Sequence, residues 1–468
     1  MTEPGSSPPA GGAPPGPDLQ PPPEVVRIAR RLEEAGFSTW AVGGAVRDAL
    51  AEHVHRGDWD LATAARPRDV QRLFKRTVPV GVAHGTVGVL AKDGGMYEVT
   101  TFRRDVETDG RHARVSFSDT VEEDLQRRDF TINAVAWHPL THELRDPHGG
   151  VRDLRDGVLR TVGDPRERFR EDRLRVLRAL RFAGRFGLRI DAETWRAARE
   201  AAPGLVHLSA ERVREELLKV LREVQPPSAS LRLYAAAGAL EVLYPELHAA
   251  VGVDDGGEDV WSHLLRAVDA VPHGRVPLRV AALLHDTGKP RTRTEAGDGV
   301  DFPGHAAAGA ALARALTTRL KFSNAERDRA VHLVAQHEDL PASDAPAPAV
   351  RRWLRRVGGE HVHDLLRLEA ANAAGRPRPD PERLREAEAL RRRADALLRG
   401  GTALRVDDLA IGGTELRALG LPAGPVMGEV LRDLLELVTD DPSLNSAEAL
   451  EAIVRERIGG DSGASASG

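Results

Sequence analysis

The sequence predicts an α/β head followed by an all-α elongated neck, body and tail. Three observations predict it. Between residues 24 and 103, short apolar runs alternate with helical periods, as strands interleaved with helices do. From about Asp164 the apolar period becomes helical and stays so almost to the end. At 468 residues the chain is too long for a single core, so several domains are expected.

The elements follow in order. Residues 1–23 are rich in Pro and Gly and lack a basic n-region or apolar h-region, which predicts a disordered tail and no secretory signal. The head is expected over 24–160. Glu24 to Ala35 is an amphipathic helix ended by Gly36. Phe37 to Val42 reads as a short buried strand running into Gly43 and Gly44. Val46 to Leu50 starts a helix, Trp59 to Thr63 is a strand, and Arg68 to Phe74 is a helix. Residues 78–103 alternate and turn like a β-hairpin. The polar stretch from Arg104 to Val115 has few core-forming residues and reads as a mobile loop. An arginine-rich helical neck is expected over 161–225, a helical body over 226–372, a helical tail over 373–458 and a disordered end over 459–468. Breaks are expected at Pro203-Gly204, Pro226-Pro227, Gly252 to Gly257, Pro290 to Pro303 and Arg376 to Pro381.

Composition excludes some chemistry. Hydrophobic content of 41% with 29% charged residues is that of an ordinary soluble protein. A net charge of −5 leaves nucleic-acid contact to a local patch, and 4% aromatics argues against stacking many bases on rings. The absence of cysteine excludes disulfides and thiolate-bound zinc. No apolar run is long enough to span a bilayer, and a cytoplasmic location is expected.

The chemistry starts at residues 42–60, V-G-G-A-V-R-D-A-L-A-E-H-V-H-R-G-D-W-D. On a strand, Asp58 and Asp60 share one face because side chains alternate. Two close carboxylates repel unless a cation lies between them. Oxygen ligands of this kind suit Mg²⁺, which takes further ligands from a substrate's phosphates. Gly43 and Gly44 carry no Cβ to keep a triphosphate from backbone N–H groups. A lone D-x-D can be a solvated surface turn; the preceding G-G-A-V-R-D argues for a nucleotide and Mg²⁺.

A second block reads E-E-D-L-Q-R-R-D-F-T-I-N-A-V from Glu122 to Val135. Arg128 can hold phosphate oxygens bidentately, and Asp129 can accept from ribose hydroxyls; a solvated helix cap is the plain alternative. Further on comes Glu171-Asp172-Arg173-Leu174-Arg175. On a helix Asp172 and Arg175 share a face and present an acceptor beside a donor. Cytosine and adenine both show an amino donor beside a ring-nitrogen acceptor, whereas guanine and uracil invert the pattern. Such a pair accepts C and A and rejects G and U, each bidentate contact contributing about 1–3 kcal/mol by analogy with groove readout. An ordinary i, i+3 ion pair is the alternative.

These blocks, with H-G-T-V-G-V, Y-E-V-T-T-F-R, G-D-P-R-E-R-F-R-E-D-R and S-A-E-R-V-R-E-E-L, occur in one order over about residues 36 to 220. In that order the chain resembles bacterial class II tRNA nucleotidyltransferases, the CCA-adding enzymes and their poly(A) polymerase relatives. The resemblance implies a polymerase-β-like nucleotidyltransferase head. Asp58 and Asp60 are then catalytic and bind Mg²⁺, and Gly43, Gly44 and Arg47 hold the triphosphate. Arg128 and Asp129 contact ribose and phosphates, Asp172 and Arg175 read the base, and Arg178 is a further nucleotide-binding residue. Glu211 and Arg212 brace that reading helix, and Glu98 and Glu171 are supporting carboxylates. The stretch from Arg104 to Val115 matches a flexible loop linked to adding the final A. The implied partners are ATP, CTP and the 3′ end and acceptor–elbow region of tRNA. RNA contact is expected from the arginine-rich neck between Arg160 and Arg185 and from the tail between Ile411 and Met427. A-adding, CC-adding and poly(A) polymerase activities stay open, as does a non-catalytic RNA-binding scaffold.

The body carries a second constellation: His263, then His285 and Asp286 in A-A-L-L-H-D-T-G-K-P, His305 and His337. It resembles the HD phosphohydrolase superfamily. Imidazoles with a carboxylate suit a transition metal, and an adjacent His and Asp on an apolar helix are costly to bury unpaired. The superfamily's pattern ends on a distal Asp, but here R-L-E-A-A-N offers Glu369, Ala371 and Asn372. A metal site, an HD phosphohydrolase activity and a helical spacer with leftover histidines are the readings. His53, His55 and His138 read as surface or packing residues.

Overall fold

The computed structural model describes residues 17–51, 59–81, 85–108, 113–296, 299–378 and 380–464; of residues 105–108, 113–115, 296 and 459–464 it describes the backbone alone. The chain forms two compact units, residues 1–224 with 229–243, and residues 225–228 with 244–468.

The first unit opens with α1 (Pro23–Glu34), which buries Val25, Ile28, Ala29 and Leu32 on one stripe. Before it, the expected disordered tail is partly ordered: the Pro17 carbonyl accepts from the Trp137 indole N–H at 2.8 Å, and Leu19 packs on the head core. A strand end that exposes an indole donor needs a partner, and the passing chain supplies it. Residues 1–16 of that tail, like 465–468 of the expected disordered end, lie outside the described residues.

Strand β1 (Thr39–Val42) is buried throughout, which explains its unbroken apolar run. Helix α2 (Gly44–Leu50), strand β2 (Asp60–Thr63), helix α3 (Pro67–Leu73) and strands β3 (Thr77–Gly81), β4 (Thr86–Leu90) and β5 (Met96–Thr101) follow. The stretch expected as a mobile loop is instead an antiparallel ribbon, β6 (Arg103–Thr108) and β7 (Ala113–Phe117), with Arg103 opposite Phe117. Backbone hydrogen bonds define such a ribbon, so a shortage of apolar residues does not forbid it. Its residues 109–112 are outside the described ones. After α4 (Val121–Gln126), β8 (Ala136–Trp137) and β9 (Leu144–Arg145) complete a seven-stranded sheet of order β3-β4-β5-β2-β1-β8-β9. Strands β2 and β5 are its parallel pair, with Leu61 opposite Val99.

Helix α5 (Gly150–Arg155) and β10 (Val158–Leu159) lead into α6 (Pro165–Glu171) and α7 (Leu174–Phe186). The neck is not wholly helical, because β11 (Arg189–Ile190) pairs in parallel with β10. Helices α8 (Ala192–Ala201), α9 (Ala210–Glu223), α10 (Ser228–Ala236) and α11 (Ala239–Leu243) complete the unit. A 3-10 turn at Ala202–His207 marks the break expected at Pro203-Gly204.

The second unit holds α12 (Pro245–His248), α13 (Val260–Ala270), α14 (Val276–Leu284) and α15 (Lys289–Thr292). The segment from Pro290 to Pro303, expected to be irregular, contains a hairpin, β12 (Thr294–Ala296) with β13 (Gly299–Asp301). Then come α16 (His305–Arg319), α17 (Asn324–Gln336), α18 (Ala347–Val357), α19 (Gly359–Ala374) and α20 (Pro381–Arg399). The tail helices α21 (Gly413–Ala418), α22 (Pro425–Asp440) and α23 (Ala447–Ala464) build a separate core around Ile411, Leu416, Met427, Leu434 and Leu450. No described helix is long and apolar enough to cross a membrane.

Candidate active site

Strand β1 ends at the turn that starts α2. Gly43 occupies it with φ +80°, which a side chain would resist. A Cβ there would stand 3.5 Å from Arg128 Nη1 and 3.8 Å from Asp60 Oδ2, so the backbone passes close to both. Asp60 opens β2 and Glu98 lies on β5 beside it, because Leu61 and Val99 are opposite each other. Both carboxylates line a cleft of about 660 Å³ together with Gly43, Gly44 and Arg128. Asp58, the other half of the expected metal pair, is outside the described residues, as are His53 and His55. His138 packs edge-on against Trp40, with centroids 4.9 Å apart.

The cleft is rich in cations. The cleft is lined by ten Arg and Lys residues against five Asp and Glu, so it attracts a polyanion. Arg175, Arg178, Arg181 and Arg185 all come from α7. The neck residues Arg175, Arg178, Arg181 and Arg185 therefore line this cleft. Phe182 supports them: Arg181 lies 4.4 Å and Arg178 5.2 Å from its ring centroid.

Several expected ligands are committed to one another. Buried Arg47 donates to Asn133 Oδ1 at 2.6 Å and to Asp48 Oδ1 at 2.8 and 2.6 Å. Burial lowers its pKa although Asp48 opposes this. Asp129, expected to meet ribose, is buried and saturated: Oδ1 accepts from Phe130 N and Asn133 Nδ2, and Oδ2 from Arg178 Nε at 2.8 Å. Burial pushes its pKa up, but the Arg178 charge and these bonds outweigh it and bring the carboxyl down to about 2. Asp129 lines the cleft while it holds Arg178. Arg127 and Arg128 both bind Asp124, at 2.9 and 3.0 Å.

The base-reading pair departs from its expected geometry. Asp172 is not on a helix with Arg175; it lies between α6 and α7 with φ −149°. Its Oδ1 accepts from Leu174 N at 3.0 Å and its Oδ2 from Arg212 Nη2 at 2.8 Å. Arg175 is anchored by Glu171 and by the carbonyls of Arg168 and Arg127. Both residues nevertheless line the same cleft. Arg212, expected to brace the reading helix, bonds Asp172. Glu211 is exposed and does not line the cleft. Buried Glu216 and half-buried Glu223 hold α7, taking Arg181 Nε at 2.7 Å and Arg185 Nη1 at 2.8 Å. Arg212, Glu216, Lys219 and Glu223 fall on one face of α9, a helical charge stripe readable in the sequence.

Comparison with known proteins agrees with this geometry. The Poly A polymerase head domain matches residues 39–160, the probable RNA and SrmB-binding site of polymerase A matches 187–251, and the HD domain matches 260–398. The chain is 33% identical to the CCA-adding enzyme of Geobacillus kaustophilus over 93% of its own length and 96% of the relative's. The chain belongs to the CCA-adding enzyme family. Over a shorter stretch, 42% of the chain and 50% of the relative, it is 45% identical to the CCA-adding enzyme of Anoxybacillus flavithermus. A solved CCA-adding enzyme of Bacillus stearothermophilus in complex with CTP matches 94% of the chain and 98% of itself, with 31% identity and a TM-score of 0.69. The α/β head and helical remainder are thus the family's fold. The enzyme class is nucleotidyltransferase.

Within the HD-domain region, the second unit brings the expected histidines together. His263, His285, Asp286, His305 and His337 are all buried. His263 and His285 lie Nε2 to Nε2 at 3.2 Å, and His305 and His337 at 3.3 Å. Asp286 stands between the pairs, Oδ2 3.4 Å from His285 and Oδ1 3.2 Å from His305. The imidazoles hold Asp286 well below the usual carboxylate range although burial opposes them. Burial and the neighbouring His285 push His263 down to about 4. His285, His305 and His337 each place Nδ1 2.7 to 3.0 Å from a backbone carbonyl, which turns the bare Nε2 atoms inward. Bare nitrogens that face each other fit a metal ion, and the N/O donor set suits a transition metal. A cavity of about 670 Å³ opens beside the cluster and includes Lys289, Asn372, Arg376 and Arg378.

Proposed function

We propose that the chain adds C, C and then A to the 3′ end of tRNA from CTP and ATP in the cleft of the first unit. The observation that carries this is that Asp60 and Glu98, on adjacent strands, line one cleft with the arginines of α7. Asp58, Asp60 and Glu98 would hold Mg²⁺, for which an all-oxygen set is suited. When bound, Mg²⁺ neutralises charge on the attacked phosphate and leaving group and lowers the pKa of the attacking hydroxyl. The tRNA 3′-oxygen bonds to the α-phosphorus while the bond to the bridging oxygen breaks. Pyrophosphate leaves with that oxygen, and the hydroxyl proton passes to solvent. Arg128, Arg178 and Arg185 hold the triphosphate. Asp172 and Arg175, fixed by Arg212 and Glu171, present one acceptor and one donor to the base, so no nucleic-acid template is needed. The tail from Ile411 to Met427 contacts the tRNA acceptor–elbow region, and the protein works in the cytoplasm.

The test is extension of three tRNA transcripts ending before the tail, after C and after CC, each with CTP, ATP or both. Addition of C, C and A followed by arrest supports the reading. A-addition to the CC-ended transcript alone makes this an A-adding member, and long A tails make it a poly(A) polymerase.

A second activity is favoured by the HD-region cluster. His263, His285, Asp286, His305 and His337 would hold a transition metal, which when bound activates water and polarises a phosphoryl oxygen. Arg376 and Arg378 are exposed on the adjoining cavity and suit an anionic ester. Hydrolysis of bis-p-nitrophenyl phosphate by protein loaded with Co²⁺ or Mn²⁺ tests it; no hydrolysis with either metal removes it.

A further inference from the structure

We infer, resting on the metal reading just given, that the HD-region centre binds a single transition-metal ion on Asp286 Oδ1, His305 and His337, and that the Lys289 ammonium holds the other carboxylate oxygen in place of a second ion. The two halves of the cluster look alike at first. Each has two imidazoles about one oxygen of Asp286: His263 and His285 lie 3.6 and 3.4 Å from Oδ2, and His305 and His337 lie 3.2 and 3.4 Å from Oδ1. Either half offers three donors and open positions, enough for one ion.

Charge separates them. Lys289 Nζ lies 2.7 Å from Asp286 Oδ2 and 2.7 Å from Asp255 Oδ2. It is a built-in cation on the oxygen that the His263–His285 half would need. A second positive charge there would be opposed by the ammonium, which already occupies Asp286 Oδ2 and also binds the nearby Asp255 carboxylate. Asn372 sharpens the difference. Helix α19, which carries it, packs on α13, which carries His263, and Asn372 lines the same cavity. There it offers a neutral amide and no carboxylate. Its neighbour Glu369 cannot substitute, because Glu369 accepts from Asn372 Nδ2 at 3.4 Å and is held by Arg383.

The other half has the opposite bias. Among the described residues no Lys or Arg bonds Oδ1. Glu338 Oε1 lies 3.4 Å from His305 Nδ1 and adds negative charge behind a ligand. His305 and His337 set Nδ1 against the carbonyls of Phe302 and Val334, at 3.0 and 2.7 Å, which turns both Nε2 atoms towards each other and towards Asp286 Oδ1. A cation there would be held by all three. Two divalent ions would share one carboxylate beside an ammonium, whereas one ion leaves that carboxylate serving a metal through Oδ1 and Lys289 through Oδ2.

The experiment uses the full-length protein, stripped with chelator and then titrated with Co²⁺. Visible d–d absorption and elemental analysis after desalting are the readouts. The expected stoichiometry is one Co²⁺ per chain. His337→Gln and His305→Gln are each expected to weaken Co²⁺ binding by more than about 100-fold, while His263→Gln stays within about 10-fold of wild type. Lys289→Met is expected to raise the stoichiometry towards two. Two ions per chain in the wild type, or loss on His263→Gln with retention in His337→Gln, overturns the inference and leaves the metal reading standing. Absence of Co²⁺ absorption in the wild type overturns both. Nucleotide addition by each variant, which depends on the first unit, together with its circular dichroism, shows that lost metal is not lost folding.

Discussion

Arg212 on α9 donates through Nη2 to Asp172 Oδ2 at 2.8 Å, joining that neck helix to the residue proposed to read the base. The bond leaves Asp172 fixed at both oxygens, since Oδ1 accepts from Leu174 N. Removing the acceptor and removing its brace should therefore differ. Asp172→Ala is expected to cut discrimination of C and A against G and U by about 10- to 100-fold, the equivalent of one bidentate contact. Arg212→Ala keeps the acceptor but loosens it, so kcat/KM should fall for CTP and ATP together with a smaller loss of discrimination. Single-turnover incorporation of the four nucleotides checks both; unchanged selectivity in Asp172→Ala would reject the base-reading role.

Asp60 borders the Gly43 turn and the Arg128 guanidinium. If it holds Mg²⁺ there, Asp60→Asn keeps the shape and removes the charge. Addition should fall by at least about 10²- to 10³-fold, as when a transition-state charge partner is removed. Chelation with EDTA should abolish addition in the wild type and excess Mg²⁺ restore it. CTP binding measured by equilibrium dialysis should survive better than turnover, because the arginines of α7 remain. Retained turnover in Asp60→Asn would sink the assignment.

The sequence makes local features legible. The Gly43-Gly44 turn, the buried run of β1 and the apolar stripe of α1 each depend on neighbours within a few residues. Pairings across the chain are less visible. Asp172 and Arg175 read as sharing one helix, yet the chain breaks at Asp172, whose side chain bonds Arg212 forty positions away. Arg181 and Glu216 are likewise joined across 35 positions. In the HD region the ligand types are legible, but the division of Asp286 between two histidine pairs and Lys289 is a fact of packing.

Asp129 gives a pH signature. Burial raises its pKa, but Arg178, Asn133 and Phe130 N bring it from 3.8 to about 2. A depressed carboxylate stabilises the fold fully above its unfolded pKa and loses that contribution as pH falls through the folded one. The shift corresponds to about 2 kcal/mol. Urea unfolding of wild type and Asp129→Asn should thus show the largest gap from neutral pH down to the unfolded value near 3.8, closing as pH falls towards 2. A gap constant across that window would mean that Asp129 acts by shape alone.

Gly184 on α7 tests how tightly the arginine helix is seated. A Cβ there would lie 2.2 Å from Ser230 Oγ and 2.6 Å from Ser230 N. The first obstacle can rotate away, but the second is backbone and cannot. Alanine favours a helix interior over glycine by about 1 kcal/mol, whereas forcing an extra methyl into a packed contact costs about 1–3 kcal/mol. The clash should win, so Gly184→Ala is expected to unfold at lower temperature. It also sits between Arg181 and Arg185, which bind Glu216 and Glu223. Displacing that turn should raise KM for both nucleotides, whereas a purely global loss of stability would spare KM below the melting range. Because the Ser230 backbone is part of the obstacle, adding Ser230→Ala should restore only part of the stability. Full rescue would place the clash on the hydroxyl alone.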